Sequence, residues 1–171
     1  MQLYPPDLAQ ALDFPFIQRE LARYCSSRKA KDLALDLKPE PQADLLAQKI
    51  AESDQILSLL LSDESFPSAE HPELSEFLSK LKVRGHALRE EQFADIRSMA
   101  INYRHIHQFV ANKQERLPAI WAPLEYLLPE KFVIEAIDKV LDERAQVRSS
   151  ASAELSHIRR ELTRKRASAD R

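Results

Sequence analysis

A chain with one glycine, Gly85, in 171 residues has few ways to turn tightly. Ordinary usage near 7% would supply roughly 12 glycines. Glycine enters the positive-φ conformations of hairpin turns and bulges without steric penalty. A sheet-rich fold with many such turns is therefore excluded, and helices remain. The same count removes classes of chemistry. A Walker-type phosphate loop needs two glycines around its anion cradle, and a dinucleotide fingerprint needs three. With 44% hydrophobic and 30% charged residues, the chain reads as soluble and globular. The predicted fold class is all-α: an irregular bundle of roughly six to eight helices, with a C-terminal helix leaving the body.

Ten prolines punctuate the chain, and the segments between them are the helix candidates. The first runs over 14–25, with Asp13 as its cap and Phe14, Ile17, Leu21 and Tyr24 on one stripe. Ser27 caps a second over 28–37. Pro39 and Pro41 break the chain, and Asp44 opens a longer helix to 61. Its expected inner face is Leu46, Ile50, Ser53, Leu57 and Leu60 or Leu61. Residues 62–72 read as a loop, 72–80 as a short helix, and Val83-Arg84-Gly85-His86 as a turn. The most regular helix is predicted over 88–112. There Phe93, Ile96, Ala100, Tyr103, His107 and Val110 form a heptad-like seam. Further helices are expected over 118–128, over 130–143, and from about Ser152, where Leu155, Ile158 and Leu162 form the apolar stripe.

Little in this pattern carries chemistry. Cys25 is the one cysteine, so no internal disulfide and no cysteine-rich zinc site can form. Its place in an apolar run reads as a structural thiol, and a lone cysteine fits a reducing compartment. His105 and His107 would share a face on a strand but diverge by about 200° on a helix, which rejects a shared metal. His107 reads as a hydrogen-bonded core residue. Asp138 and Asp142 stand one helical turn apart and read as a solvated face. Ser149, Ser150 and Ser152 lack the glycine elbow of a hydrolase nucleophile. The expectation is no catalytic residue, no cofactor site and no metal site. No signal peptide or membrane span is recognised, which predicts a cytoplasmic location.

Charge is unevenly distributed. From Arg144 onward, eight Lys or Arg face Glu154, Glu161 and Asp170, a net +5, whereas the first 143 residues carry net −7. Arg148, Arg159, Arg160, Arg164, Lys165 and Arg166 are the candidate nucleic-acid contacts, because basic side chains along a helix neutralise phosphates. The alternative is a solvated helix face, or cations complementing the helix dipole. No aromatic residue interleaves to stack on bases, so any contact would be with backbone. No glycine or proline stops the helix after Leu162, and the natural chain is expected to continue.

The stretch from Ile137 to Arg160 resembles the MutS-two family, the second bacterial branch of MutS-type ATPases. The residues concerned are Ile137-Asp138, Val147, Ala151-Ser152-Ala153-Glu154-Leu155 and Ile158-Arg159-Arg160. The family shows an Ile-Asp pair, a short turn, an Ala-Ser-Pro-Glu-Leu run and an Ile-Arg-Arg sequence at these spacings. Leu12-Asp13-Phe14 and Leu35 to Pro39, matching a Leu-x-Leu-x-Pro pattern, extend the resemblance to nearly the whole chain, although it is sparse over 62–130. The chain departs from the family at Ala145, where glycine is usual, at Ser149, where an acid is frequent, and at Ala153, where proline stands.

The resemblance implies a non-catalytic, amino-terminal helical lever. Residues 1–148 would form the core or lever, and residues 149–171 the start of a basic helix leading to a clamp arm. The parent would continue into a clamp, a P-loop ATPase using ATP and magnesium, and a small nuclease domain. It would work as a homodimer on branched DNA, suppressing recombination, or on ribosomal RNA, splitting ribosomes, without a membrane partner. Two other readings stay open: a free-standing helical adaptor that binds a protein through an apolar groove, and a nucleic-acid-binding module built on the basic tail.

Overall fold

The computed structural model describes residues 7–62, 64–67 and 72–169. Among the described residues the fold is all-α, with nine α-helices, one 3-10 turn at Ser149–Ala151 and no sheet. The chain forms two compact units, each assembled from two stretches: Met1–Glu73 with Arg104–Leu128, and Leu74–Tyr103 with Pro129–Arg171.

The first unit holds α1 (Leu8–Ala11), α2 (Phe14–Tyr24), α3 (Arg28–Leu35), α4 (Ala43–Leu60), the end of α6 (Glu90–Ala111) and α7 (Pro118–Leu124). Helix α1 has no counterpart among the predicted helices. Asp13, expected to cap α2 with its carboxylate, makes no side-chain cap and instead adopts a left-handed conformation at φ 54°. Only Leu12 and Asp13 separate α1 from α2, so the backbone itself must reverse there. Aspartate is among the few non-glycine residues that tolerate this. Ser27 does cap α3, its Oγ accepting from the Ala30 amide at 3.1 Å. Helix α2 packs on α3. The predicted stripe is displaced: Ile17, Leu21 and Tyr24 are exposed, Tyr24 by 86%. Phe14, Gln18 and Ala22 are half-buried instead. Gln18 Nε2 donates to the carbonyls of Leu35 and Leu37, each at 3.0 Å, satisfying acceptors that the end of α3 leaves open.

The core of this unit is Leu59, Val110 and Leu117, with Ile56, Phe66, Ile106, Phe109, Ile120, Trp121 and Leu124 packed around them. Full burial of such aliphatic side chains contributes about 1.5–3 kcal/mol each. The inner face of α4 is therefore Gln55, Ile56 and Leu59. The predicted stripe of Leu46, Ile50, Leu57, Leu60 and Leu61 is exposed, and Ser53 with it. The reason lies in the partner. Helix α4 packs on α7, and Gln55 Oε1 accepts from the amides of Ala119 and Ile120 at 3.1 and 3.2 Å. Leu117 precedes α7 and cannot cap it, so a glutamine 64 residues before Ala119 does so. The segment after α4 is also tied in. Phe66 meets Phe109 edge to face at 5.5 Å, and Glu64 pairs with Lys113 and Arg116. His107 lies edge-on to Trp121 with ring centroids 5.2 Å apart.

The second unit holds α5 (Ser75–Lys80), the first part of α6, α8 (Lys131–Val140), the 3-10 turn and α9 (Ala153–Ala169). Phe77, Ile134, Ile137 and Leu141 are buried. Gly85 occupies its predicted turn with φ 85°. Helix α8 ends three residues before the predicted limit of 143, because Leu141 turns extended and bridges to Val147. Replacing Gln55 with alanine should lower the unfolding free energy by about 1–2 kcal/mol, the cost of an unsatisfied helix start. Gln55→Glu keeps the acceptor and should lose less. Denaturant unfolding followed by Trp121 fluorescence checks both.

Candidate nucleic-acid interface

A short turn between α8 and α9 builds the site. The Asp142 carboxylate accepts from the amides of Arg144 and Gln146, each at 2.9 Å, while its own amide donates to the Gln146 carbonyl. Asp142 is thus the organiser of a loop, not part of a solvated acidic pair. Its expected companion Asp138 also has another role, ion-paired with Arg97 of α6. Backbone donation from Gln146, then from Arg144, holds the Asp142 carboxyl below the ordinary carboxylate range. At the apex Ala145 sits at φ 58°, a left-handed position. This is the place where the resembled family carries glycine, and the alanine keeps the turn despite its Cβ.

The turn sets the entry into α9. Arg148 is absorbed by it: its amide donates to Val140 O at 2.8 Å and its Nε to Leu141 O at 2.7 Å. After the 3-10 turn, Ser152 Oγ accepts from the Leu155 amide at 3.0 Å, so the hydroxyl half of a capping box starts α9 without an acid three residues on. Ala153 takes the first helical position. Arg159 reaches back, donating from Nη1 to Val147 O at 2.9 Å and to Ser149 Oγ at 3.0 Å. The resembled motif is therefore one local structure. Ile137 is buried, Asp138 is ion-paired, Val147 is bridged and held by Arg159, Ala151 closes the 3-10 turn, Ser152 caps, and Leu155 is half-buried. Ile158 remains exposed by 47% and Leu162 by 50%.

Of the six predicted contacts, Arg159, Arg160 and Arg164 line one open groove with Ser149, Ser156, Thr163 and Ala167. On α9 these residues recur at helical spacing, 156, 159, 160, 163, 164 and 167, which is a single face. Lys165 and Arg166 point elsewhere, about 140° and 240° around the axis from Arg160. Sequence reasoning missed the hydroxyls, although the same spacing marks Ser156 and Thr163. Thr163 Oγ1 donates to Arg159 O at 2.9 Å. The Arg164 guanidinium pairs with Glu161 at 3.6 Å, a solvent-facing arrangement worth little in water.

Other candidates stay apart. His105 is exposed and His107 half-buried on α6, His71 lies outside the described residues, and no metal-binding cluster occurs among the described residues. Cys25 is half-buried, with Sγ donating to Leu21 O at 3.5 Å. Among the described residues no helix is long and apolar enough to cross a membrane.

No family model matches the chain. Curated proteins do. It is similar to segments of endonuclease MutS2. The endonuclease MutS2 of Clostridium perfringens (strain 13 / Type A) is 26% identical over 161 residues, covering 93% of this chain and 20% of that protein. That of Clostridium beijerinckii is 26% identical over 161 residues and 92% of this chain. That of Clostridium botulinum (strain Alaska E43 / Type E3) is 24% identical over 93% of it. The chain spans about a fifth of the length of these relatives.

Relieving the apex strain should stabilise the second unit. Ala145→Gly is expected to add about 0.5–1 kcal/mol, and Ala145→Val to subtract more than that; thermal unfolding measures both. The Asp142 turn should also be acid-labile. Its lowered pKa means that the ionised carboxylate contributes stability above the ordinary carboxylate range, and that this is lost as pH falls through the lowered value. Amide exchange at Arg144 and Gln146 should accelerate over that interval. In Asp142→Asn this acid dependence should be absent.

Proposed function

We propose that this chain is the amino-terminal helical lever of a MutS-type, DNA-associated ATPase and endonuclease. It transmits motion between the ATPase and a clamp and performs no chemistry itself. The observation that carries this reading is the similarity running along 93% of the chain to only 20% of an endonuclease. An all-helical composition agrees with it, because packed helices move as rigid bodies with small shears. The parent would bind ATP and magnesium in a phosphate loop outside these residues. It would work as a homodimer on branched DNA or ribosomal RNA in the cytoplasm. Residues 1–148 serve as the lever, and residues 149–171 begin the arm.

A free-standing adaptor is the reading favoured by Ile17, Leu21 and Tyr24, an exposed apolar stripe on α2. The coding sequence after codon 171 separates the two: a glycine-rich phosphate loop downstream selects the lever, a stop codon the adaptor. Biochemically, the 171-residue chain with ATP and magnesium should show no turnover above background, and turnover would overturn the assignment. In the full-length protein, Leu162→Pro breaks α9. It should spare basal ATP hydrolysis and abolish stimulation by DNA, whereas equal loss of both defeats the coupling role.

A further inference from the structure

We infer that the groove formed by Ser149 and the Ser156, Arg159, Arg160, Thr163 and Arg164 face of α9 is a sequence-independent site for the sugar–phosphate backbone of a nucleic acid. The inference goes beyond the lever reading and stands on the groove alone. Three observations carry it.

The first is the placement of charge. Three guanidinium groups share one helix face with the hydroxyls of Ser156 and Thr163, and Ser149 adds a third from the 3-10 turn. Among the described residues the carboxylate paired there is the half-buried Glu161, 3.6 Å from Arg164. Arg160 and Arg164 are one turn apart, about 6 Å along the axis. That spacing matches about two phosphates of one strand, at roughly 3.4 Å of axial rise each. Guanidinium forks suit phosphate oxygens geometrically as well as by charge.

The second is preorganisation. Arg159 is held by Val147 O and Ser149 Oγ, which fixes the floor of the groove before any ligand arrives. The Ser149 oxygen accepts from Arg159, so its own proton is available to donate to an anion. Arg159 is therefore a positioning residue, and Arg160 and Arg164 are the contacts.

The third is what the face lacks. Ser156, Thr163 and Ala167 are small, and among the described residues no aromatic or large aliphatic side chain lines the groove. Bases have nothing to stack on, and a lipid surface would find no apolar wedge beside the cations. What fits is a polyanion read by its phosphates, which position without specifying sequence. The net −7 of the first 143 residues against the +5 of the remainder directs such a ligand to this end of the chain.

The test is fluorescence anisotropy of the 171-residue chain with a labelled duplex DNA of about 20 base pairs, and with the matching duplex RNA, over about 50–200 mM salt. Binding should fall linearly in log–log form with salt. Arg160→Ala with Arg164→Ala should lower the slope by about 2 and weaken binding at least about tenfold at low salt. Lys165→Ala with Arg166→Ala removes the same charge outside the groove and should leave both quantities close to the parent. Helical circular dichroism confirms that each exposed pair of substitutions leaves the fold unchanged. No binding to either duplex at about 50 mM salt, or equal loss in the two double variants, overturns the inference. So does displacement by polyglutamate as effective as by the unlabelled duplex, which would mark a carboxylate site. Because no ATPase enters the measurement, failure here leaves the lever reading standing, and failure of the lever leaves this result untouched.

Discussion

The Asp142 carboxylate is the constraint on which the junction of α8 and α9 depends. By accepting two amides of the adjoining turn, it stops α8 at Val140, brings Val147 back beside Leu141, and leaves the Val147 carbonyl where Arg159 can hold it. These steps use backbone amides and a carbonyl of the turn itself, groups that neither helix pairs. The direction in which α9 starts, and hence the face its arginines present, is set by a carboxylate seventeen residues before Arg159.

Scarcity of glycine has a second consequence in this fold. Tight reversals are still needed, and Asp13 and Ala145 carry them at positive φ. Aspartate does so at modest cost because a short polar side chain tolerates the left-handed region; alanine has no such compensation. The turn nevertheless forms, since the hydrogen bonds around Asp142 and Arg148 over-determine its geometry. Stored strain of this kind is located where two helices must change direction, not in their interiors.

Much of the helical pattern was legible from residue spacing. The starts near Phe14, Arg28, Ala43, Pro118 and Ala153 arise from proline and capping signals that act within a few residues. Which face of each helix turns inward was less legible. In α4 the repeat through Ile50 and Leu57 is as apolar as the one through Ile56 and Leu59. The choice between them rests on α7, whose amides need Gln55. In α6 the seam from Phe93 to Val110 reads as one stripe, yet its residues divide between two units, each completed by a stretch remote in sequence. The packed role of Phe66 carried no local signal, because its partner Phe109 lies beyond α5 and most of α6.

By itself the sequence determined the all-helical class, the absence of glycine-built phosphate cradles, the turn at Gly85 and the accumulation of positive charge after Arg144. These are local or compositional properties, set by the sterics of a backbone almost without glycine and by simple charge balance. Tertiary structure alone decided that Arg159, Arg160 and Arg164 share a groove with Ser149 while Arg148 is spent on the turn before them. It decided equally that Gln55 caps a helix 64 residues away. Such pairings depend on which unsatisfied donors and acceptors meet once the chain has packed, and no spacing along a single helix encodes that.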